Sequence, residues 1–249
     1  MESIISISKR LQAADVDLLP EFMEAYRQDA RSGVQALVKK AASKINAHEA
    51  EVRRTWEMGR YEREYAHLGL ICGVDEVGRG PLAGPVVAGA VILPKDCDIL
   101  YLNDSKKLSE KKREELYHVI IDKALAYGLG FCPSGRIDEI NILNATYEAM
   151  RDAVHALSHK PQVLLNDAVR IPGLDVLQVP IIKGDSLSCS IAAASIIAKV
   201  TRDRLMAEYE LQFPGYGFAA HKGYGSKEHM DAIRRLGPTP IHRRSFMKI

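Results

Sequence analysis

The sequence predicts an α/β fold: a mixed sheet flanked by helices, preceded by a helical N-terminal extension. Three observations lead there. From about residue 69, apolar runs of strand length alternate with amphipathic stretches of helix length. The first two runs, Leu70–Val77 and Val86–Leu93, bracket a glycine loop and read as a hairpin-like pair, whereas later runs are separated by helices, a combination that gives a mixed sheet. Residues 1–68 hold one proline and two glycines, with eleven basic and eleven acidic residues interleaved with Leu, Ala, Ile and Tyr.

The division therefore falls at 1–68, an extension of two or three amphipathic helices, and 69–249, a catalytic-type domain that includes the C-terminal helices. In the extension, one helix is expected over Glu21–Arg31 and another over Val34–Arg60. Lys39, Lys40, Lys44, Arg53 and Arg54 are its candidate substrate grips, although charged stripes on helices are commonly solvated faces. Further on, Ser109 caps a helix reaching about Tyr127, with Glu110 in its first turn. Gly128–Cys132 is a short strand and Ile137–Leu157 an amphipathic helix. Val163–Asn166 and Val176–Ile182 are apolar strands after turns. Ser186 to about Gln212 is a long helix with an apolar centre at 191–198, and Ser226–Leu236 is a last helix.

Composition excludes several classes. A chain of 249 residues, 47% hydrophobic and 27% charged, is ample for a sizeable core. A net charge of +2 does not by itself indicate nucleic acid, so any basic patch must arise from local arrangement. Cys72, Cys97, Cys132 and Cys189 form no Cys-x-x-Cys pair and read as reduced core residues. No apolar stretch reaches the roughly 18 residues of a membrane helix, and Met1-Glu2-Ser3 does not begin a signal peptide. The expectation is a cytoplasmic protein without membrane contact or a small-molecule cofactor.

The chemistry concentrates in Asp75-Glu76-Val77-Gly78-Arg79-Gly80, which follows the apolar run Leu68–Val74. Two adjacent acids at the end of a buried strand are costly unless cations neutralise them. The glycine–arginine turn bares backbone N–H groups and adds a guanidinium, a combination suited to phosphate or sugar. Asp167 sits where the run Val163–Asn166 ends, the usual position of site residues in open α/β sheets. Asp185, in Lys183-Gly184-Asp185-Ser186, precedes the long helix. Four carboxylates of this kind suit magnesium or manganese, and a pair of such ions can activate water and stabilise a leaving oxygen. Asp203 lies roughly 27 Å along the long helix from Asp185 and is expected to pair with Lys199 instead. Asp104, Asp138 and Asp175 read as turn or cap residues.

Gly78-Arg79-Gly80 is not a dinucleotide loop, because a strand rather than a helix follows. Asn103-Asp104-Ser105-Lys106-Lys107-Leu108 places hydroxyl and ammonium groups before a helix, where they suit phosphates. In His221-Lys222-Gly223-Tyr224-Gly225, the Tyr224 ring can stack on a base or sugar. His242-Arg243-Arg244-Ser245 adds positive charge of unspecified use.

Taken together, the 75–80 segment, Asp104-Ser105-Lys106-Lys107-Leu108, Asn166-Asp167, 183–186, 192–199 and Gly223-Tyr224-Gly225 resemble bacterial ribonuclease HII over residues 69–249. The resemblance implies an RNase H-like fold, hydrolysis of RNA in RNA–DNA hybrids, and incision 5′ of single ribonucleotides in duplex DNA, leaving 5′-phosphate and 3′-hydroxyl ends. That activity belongs to ribonucleotide excision, and so to DNA repair and replication. It further implies that Asp75, Glu76, Asp167 and Asp185 hold Mn2+ or Mg2+, two ions in the substrate-bound state. Gly78, Arg79 and Gly80 would sense the ribose 2′-hydroxyl, Ser105 and Lys106 would contact substrate, and Tyr224 would pack on the sugar beside the junction. The helical extension lies outside the minimal pattern, and a protein partner for it stays open. The alternatives are a ribonuclease HIII-like enzyme limited to longer RNA stretches and a catalytically silent hybrid binder.

Overall fold

A computed structural model describes residues 2–96 and 98–247. Cys97 lies outside the described residues, whereas Cys72, Cys132 and Cys189 are buried, as expected of core residues. The chain divides into two compact units, at Trp56/Glu57.

The first unit is helical. Helices α1 (Ile4–Ala13), α2 (Leu19–Ala25) and α3 (Ser32–Met58) bury Ile7, Leu11, Leu19, Phe22, Tyr26, Val34 and Ala41. Ser3 caps α1 by accepting from the Ser6 N–H at 3.2 Å. Arg31 grips Asp29 through a fork of two nitrogens and also donates to the Glu2 carbonyl. The helix expected over Glu21–Arg31 starts and stops earlier because Pro20 sets the first turn of α2 and Asp29 turns the chain by accepting from the Arg31 N–H. Of the candidate grips, Lys44 donates to the Leu11 carbonyl and Arg54 pairs with Glu51, while Lys39, Lys40 and Arg53 are exposed.

The second unit opens with α4 (Arg60–Tyr65), followed by β1 (Ile71–Val77), β2 (Val86–Ile92), α5 (Glu110–Lys123), β3 (Ala126–Cys132), α6 (Ser134–His155), β4 (Val163–Asp167), β5 (Leu177–Ile181), α7 (Cys189–Gln212), α8 (Phe218–His221) and α9 (Lys227–Leu236). Its five strands run β3-β2-β1-β4-β5. β1 pairs antiparallel with β2, and β2 with β3; β1 pairs parallel with β4, and β4 with β5. The sheet is thus mixed and helix-flanked, as the alternation of patterns indicated. Helix α6 covers one face, where Cys72, Val74, Ala88 and Leu164 meet Ala145, Ala149 and Ala153. Helix α7 covers the other face so closely that a Cβ on Gly73 would lie 2.0 Å from Ser190 backbone, and one on Gly89 2.5 Å from the Ala194 carbonyl.

Three expectations need adjusting. The long helix begins at Cys189, not Ser186, because Gly184–Ser186 forms a separate turn of 3-10 helix and Ser188 caps α7 by accepting from the Ile191 N–H. Helix α5 stops at Lys123, as Ala124 adopts an extended backbone and opens β3 two residues before Gly128. Helix α6 starts three residues early, at Ser134, and kinks at Asn141 (φ 68), whose side chain accepts from the Leu143 and Asn144 N–H groups.

Candidate active site

The parallel pairing of β1 and β4 brings their C-terminal ends to the same sheet edge, with Val74 opposite Asn166. Side chains alternate along a strand. Asp75 therefore shares the α7 face with Gly73, and Asp167 shares it with Leu165, while Glu76 projects on the α6 side of the central strand. Asp75 is 5% exposed. Burial, then the negative charges of Glu76 and Asp167, push its carboxyl well above the ordinary range. Glu76 is raised chiefly by burial, against the opposing pull of Arg79, whose Nη1 lies 3.2 Å from its Oε1. Asp167 is raised by burial and steadied by the Gly184 N–H, which donates to its Oδ1 at 2.7 Å. That bond ties the end of β4 to the turn carrying Asp185. Burial, then the charges of Asp104 and Asp167, push Asp185 up to about 6.

Three loops complete the edge. Asp104 turns the 103–108 segment by accepting from the Lys106 N–H, while Arg113 of α5 holds the Ser105 and Leu108 carbonyls. Burial alone would lower the Lys106 ammonium, but Asp104, Asp75 and Asp185 around it outweigh that and raise it. Ser105 is buried, its hydroxyl accepting from Ser195 of α7 at 3.0 Å. The Tyr224 ring stands beside the glycine loop: a Cβ on Gly80 would lie 3.7 Å from its Cε1. The Tyr224 turn rests on two histidines. The Thr239 N–H donates to His242 Nδ1 at 2.8 Å, which leaves the His242 Nε2 proton for His229 Nε2 at 3.1 Å and the His229 Nδ1 proton for the Tyr224 carbonyl at 2.9 Å.

The segments that carry site residues are also strained. Ala168 (φ 57), Lys183 (φ 59) and Lys222 (φ 55) are non-glycine residues in the left-handed region, each beside or close to a candidate residue. Such conformations cost of order 1–3 kcal/mol and cluster at sites where geometry is imposed from outside.

Sequence reasoning missed four residues here. Asp104, read as a turn former, does turn its loop and also opposes Asp185. Ser195 reaches Asp75 and Ser105 from α7; a hydroxyl amid the apolar 191–198 stretch was the available signal. Arg202 and Arg243, both fully buried, gave no signal, because burial of a guanidinium is not readable from composition. Asp203 behaves as expected: Lys199 Nζ lies 2.7 Å from its Oδ1, and Arg113 stands 3.9 Å from its Oδ2.

Among the described residues, no three His, Cys, Asp or Glu side chains stand close enough to form a ready-made ion cage. The acids nevertheless fit a hard divalent cation by donor type and by charge. All are carboxylates, raised first by burial and, for Asp75 and Asp185, next by neighbouring acids, so a bound cation would favour their charged forms. Such ions complete their coordination with water and substrate oxygens.

A mixed five-stranded sheet with helices on both faces and acids at the ends of two neighbouring strands defines an RNase H-like nuclease. A family model described as Ribonuclease HII matches residues 72–249, and a second, Ribonuclease HII N-terminal domain, matches residues 3–66. A ribonuclease HII of Lachnoclostridium phytofermentans is 57% identical over 98% of this chain and 96% of its own. The crystal structure of ribonuclease H2 from Pyrococcus horikoshii superposes with a TM-score of 0.60 at 30% identity, covering 71% of this chain and 93% of that one. A Bst ribonuclease HIII structure in complex with Mn2+ gives a TM-score of 0.55 at 19% identity, over 71% and 67% of the chains, and so shares the fold. The chain belongs to the ribonuclease HII family.

Proposed function

We propose that this chain is a divalent-metal-dependent endoribonuclease that hydrolyses RNA in RNA–DNA hybrids. It also incises duplex DNA on the 5′ side of a single ribonucleotide, leaving 5′-phosphate and 3′-hydroxyl ends. The observation that carries this reading is the convergence of Asp75, Glu76 and Asp167 at one sheet edge with Asp185 and Lys106 within reach of their charges, beside the loop and ring expected to hold a ribose.

In this reading, Asp75, Glu76, Asp167 and Asp185 hold Mg2+ or Mn2+, which when bound supply charge neutralisation and water activation. The chain's own groups do the rest. Lys106 sets an ammonium beside the acids for a phosphate oxygen, with Ser105 buried beneath it. The exposed backbone of Arg79 and Gly80 presents N–H groups to the 2′-hydroxyl, the atom that separates RNA from DNA. Tyr224, 42% exposed, packs on the neighbouring sugar. Residues 69–249 form the catalytic domain and 1–68 an extension available to substrate or a partner protein. The protein acts in the cytoplasm, in ribonucleotide excision; among the described residues, no helix is long and apolar enough to cross a membrane.

The test is cleavage of a labelled DNA duplex containing one ribonucleotide, with manganese, magnesium or EDTA. A metal-dependent cut 5′ of the ribonucleotide is expected. Cutting only within long hybrids would favour the HIII-like restriction, and binding without any cut would favour a silent hybrid binder.

A further inference from the structure

We propose that Arg202 and Arg243 are positioning residues of this site. Two buried guanidiniums hold the carbonyls of the 78–85 loop and the Lys222 turn inward, and so fix the backbone N–H groups and the ring that meet the ribose. The proposal rests on the functional reading of Gly78–Gly80 given above and adds what sets that loop's geometry.

Both side chains are 0% exposed. A buried guanidinium ordinarily needs a carboxylate partner, yet among the described residues neither forms an ion pair. Arg202 donates to three carbonyls: Pro85 at 3.0 Å, Ala83 at 3.1 Å and Lys222 at 2.9 Å. Arg243 donates to Gly84 at 2.8 and 3.0 Å, to Arg79 at 2.8 Å and to Gly78 at 2.5 Å. Backbone pairing laces the same segments together. The Gly84 N–H donates to Ile241, the Arg243 N–H to Leu82, and the Leu82 N–H to Gly223, each at 2.8 Å.

The consequence for recognition follows from peptide geometry. In a trans peptide the carbonyl of one residue and the N–H of the next point in opposite directions. Holding the Gly78 and Arg79 carbonyls on Arg243 therefore turns the Arg79 and Gly80 N–H groups away from it, toward the exposed side of the loop. The Lys222 carbonyl on Arg202 anchors the turn that presents Tyr224. The glycines are part of the clamp: Gly78 has φ +90, and a Cβ there would lie 2.2 Å from Arg202 Nε. Lysine carries the same charge but offers one nitrogen where arginine offers a planar fork.

The experiment compares Arg243→Lys and Arg202→Lys with wild type on the single-ribonucleotide duplex, scaled to folded protein by melting curves. Displacement of the loop is expected to lower kcat at least about tenfold. KM and affinity for an all-DNA duplex should stay within about twofold, because Lys106 is untouched. A purely structural role would lower the melting temperature and leave kcat per folded molecule at the wild-type value, and that result would overturn the proposal. Should neither variant fold, 15N order parameters of residues 78–84 in the free wild-type protein decide. Values like those of β1, about 0.85, support a preformed loop, and values below about 0.6 overturn it. A wild type that cuts no ribonucleotide-containing duplex would instead fail the functional reading, and the order parameters would then judge the clamp alone.

Discussion

Asp75 is buried in the central strand between two further acids, and the energetic consequence has a sign. An acid whose ionisation is raised by burial and by neighbouring acids destabilises the fold above its unfolded value near 4, because the unfolded chain ionises freely and the folded one resists. Asp75→Asn should therefore raise the melting temperature in EDTA while abolishing the further rise that Mn2+ gives the wild type. Cleavage should drop about a hundredfold or more, since metal-ion stabilisation is worth several kcal/mol, with hybrid binding retained; near-normal turnover would sink the carboxylate assignment. Arg79 is about half exposed and paired with Glu76, so its removal should cost little stability. Arg79→Ala is expected to weaken discrimination between ribose and deoxyribose at the cut site, and unchanged discrimination would leave recognition to the backbone alone. Asp75, Glu76 and Asp167 were legible because each follows a continuous apolar run. Asp104 was not, because its turn-forming role is real and hides its opposition to Asp185.

At the scale of elements, α4 is tied to α7. Glu62 accepts from the Ser188 hydroxyl at 2.6 Å and the Ser190 N–H at 2.8 Å, adding a charged cap at the positive end of the helix that carries Ser195 and Arg202. Tyr61 and Tyr65 pack against Ile71, Val163 and Ile191. A chain starting at residue 57 should thus melt close to the second unit's own value. A chain starting at 69, where the sequence pattern changes, should melt several degrees lower, since an abandoned buried hydrogen-bonding group costs about 1–3 kcal/mol. Equal melting of the two truncations would show α4 to be dispensable. The sequence displays the change from helical to strand patterning near 68, but it cannot display that the last helical turns belong to the neighbouring core, because that depends on contacts between residues more than a hundred positions apart. For the same reason the strands and the capped starts of α5 and α9 were legible from local signals, whereas the 3-10 turn before α7 was not.

For the molecule as a whole, the two buried histidines pull stability down on the acid side. Burial, then the charge of His229, depress His242 to about 4, and His229 is lowered as well, mainly by burial. A histidine depressed in the fold contributes stability that is complete above its unfolded value of about 6.5 and is lost as pH falls toward the folded one. Against the opposite pull of the site's raised acids, which wild type and variant share, this contribution should be lost between about pH 6.5 and 4, so over that window the melting temperature of His242→Gln should fall less, or rise more, than that of the wild type. An unchanged slope in the variant would assign the acid sensitivity elsewhere. The histidine chain ends on the Tyr224 carbonyl, so acid loosens the same turn that Arg202 anchors. None of this is legible in the sequence, since His229 and His242 are thirteen residues apart and only the folded C-terminal segment brings their rings into hydrogen-bond contact.

The close seating of helices on the sheet also limits what can be done to this protein by design. Replacing glycine with alanine in a strand is a routine way to stiffen a chain and raise its melting temperature. Here Gly73, Gly89, Gly128 and Gly130 each face helix backbone at 2.5 Å or less from where a methyl group would stand. Alanine at any of them would lever α7 or α6 off the sheet, and at Gly73 it would do so two residues from Asp75. A library built to harden this protein should leave those four positions fixed and spend its substitutions on the helical surfaces.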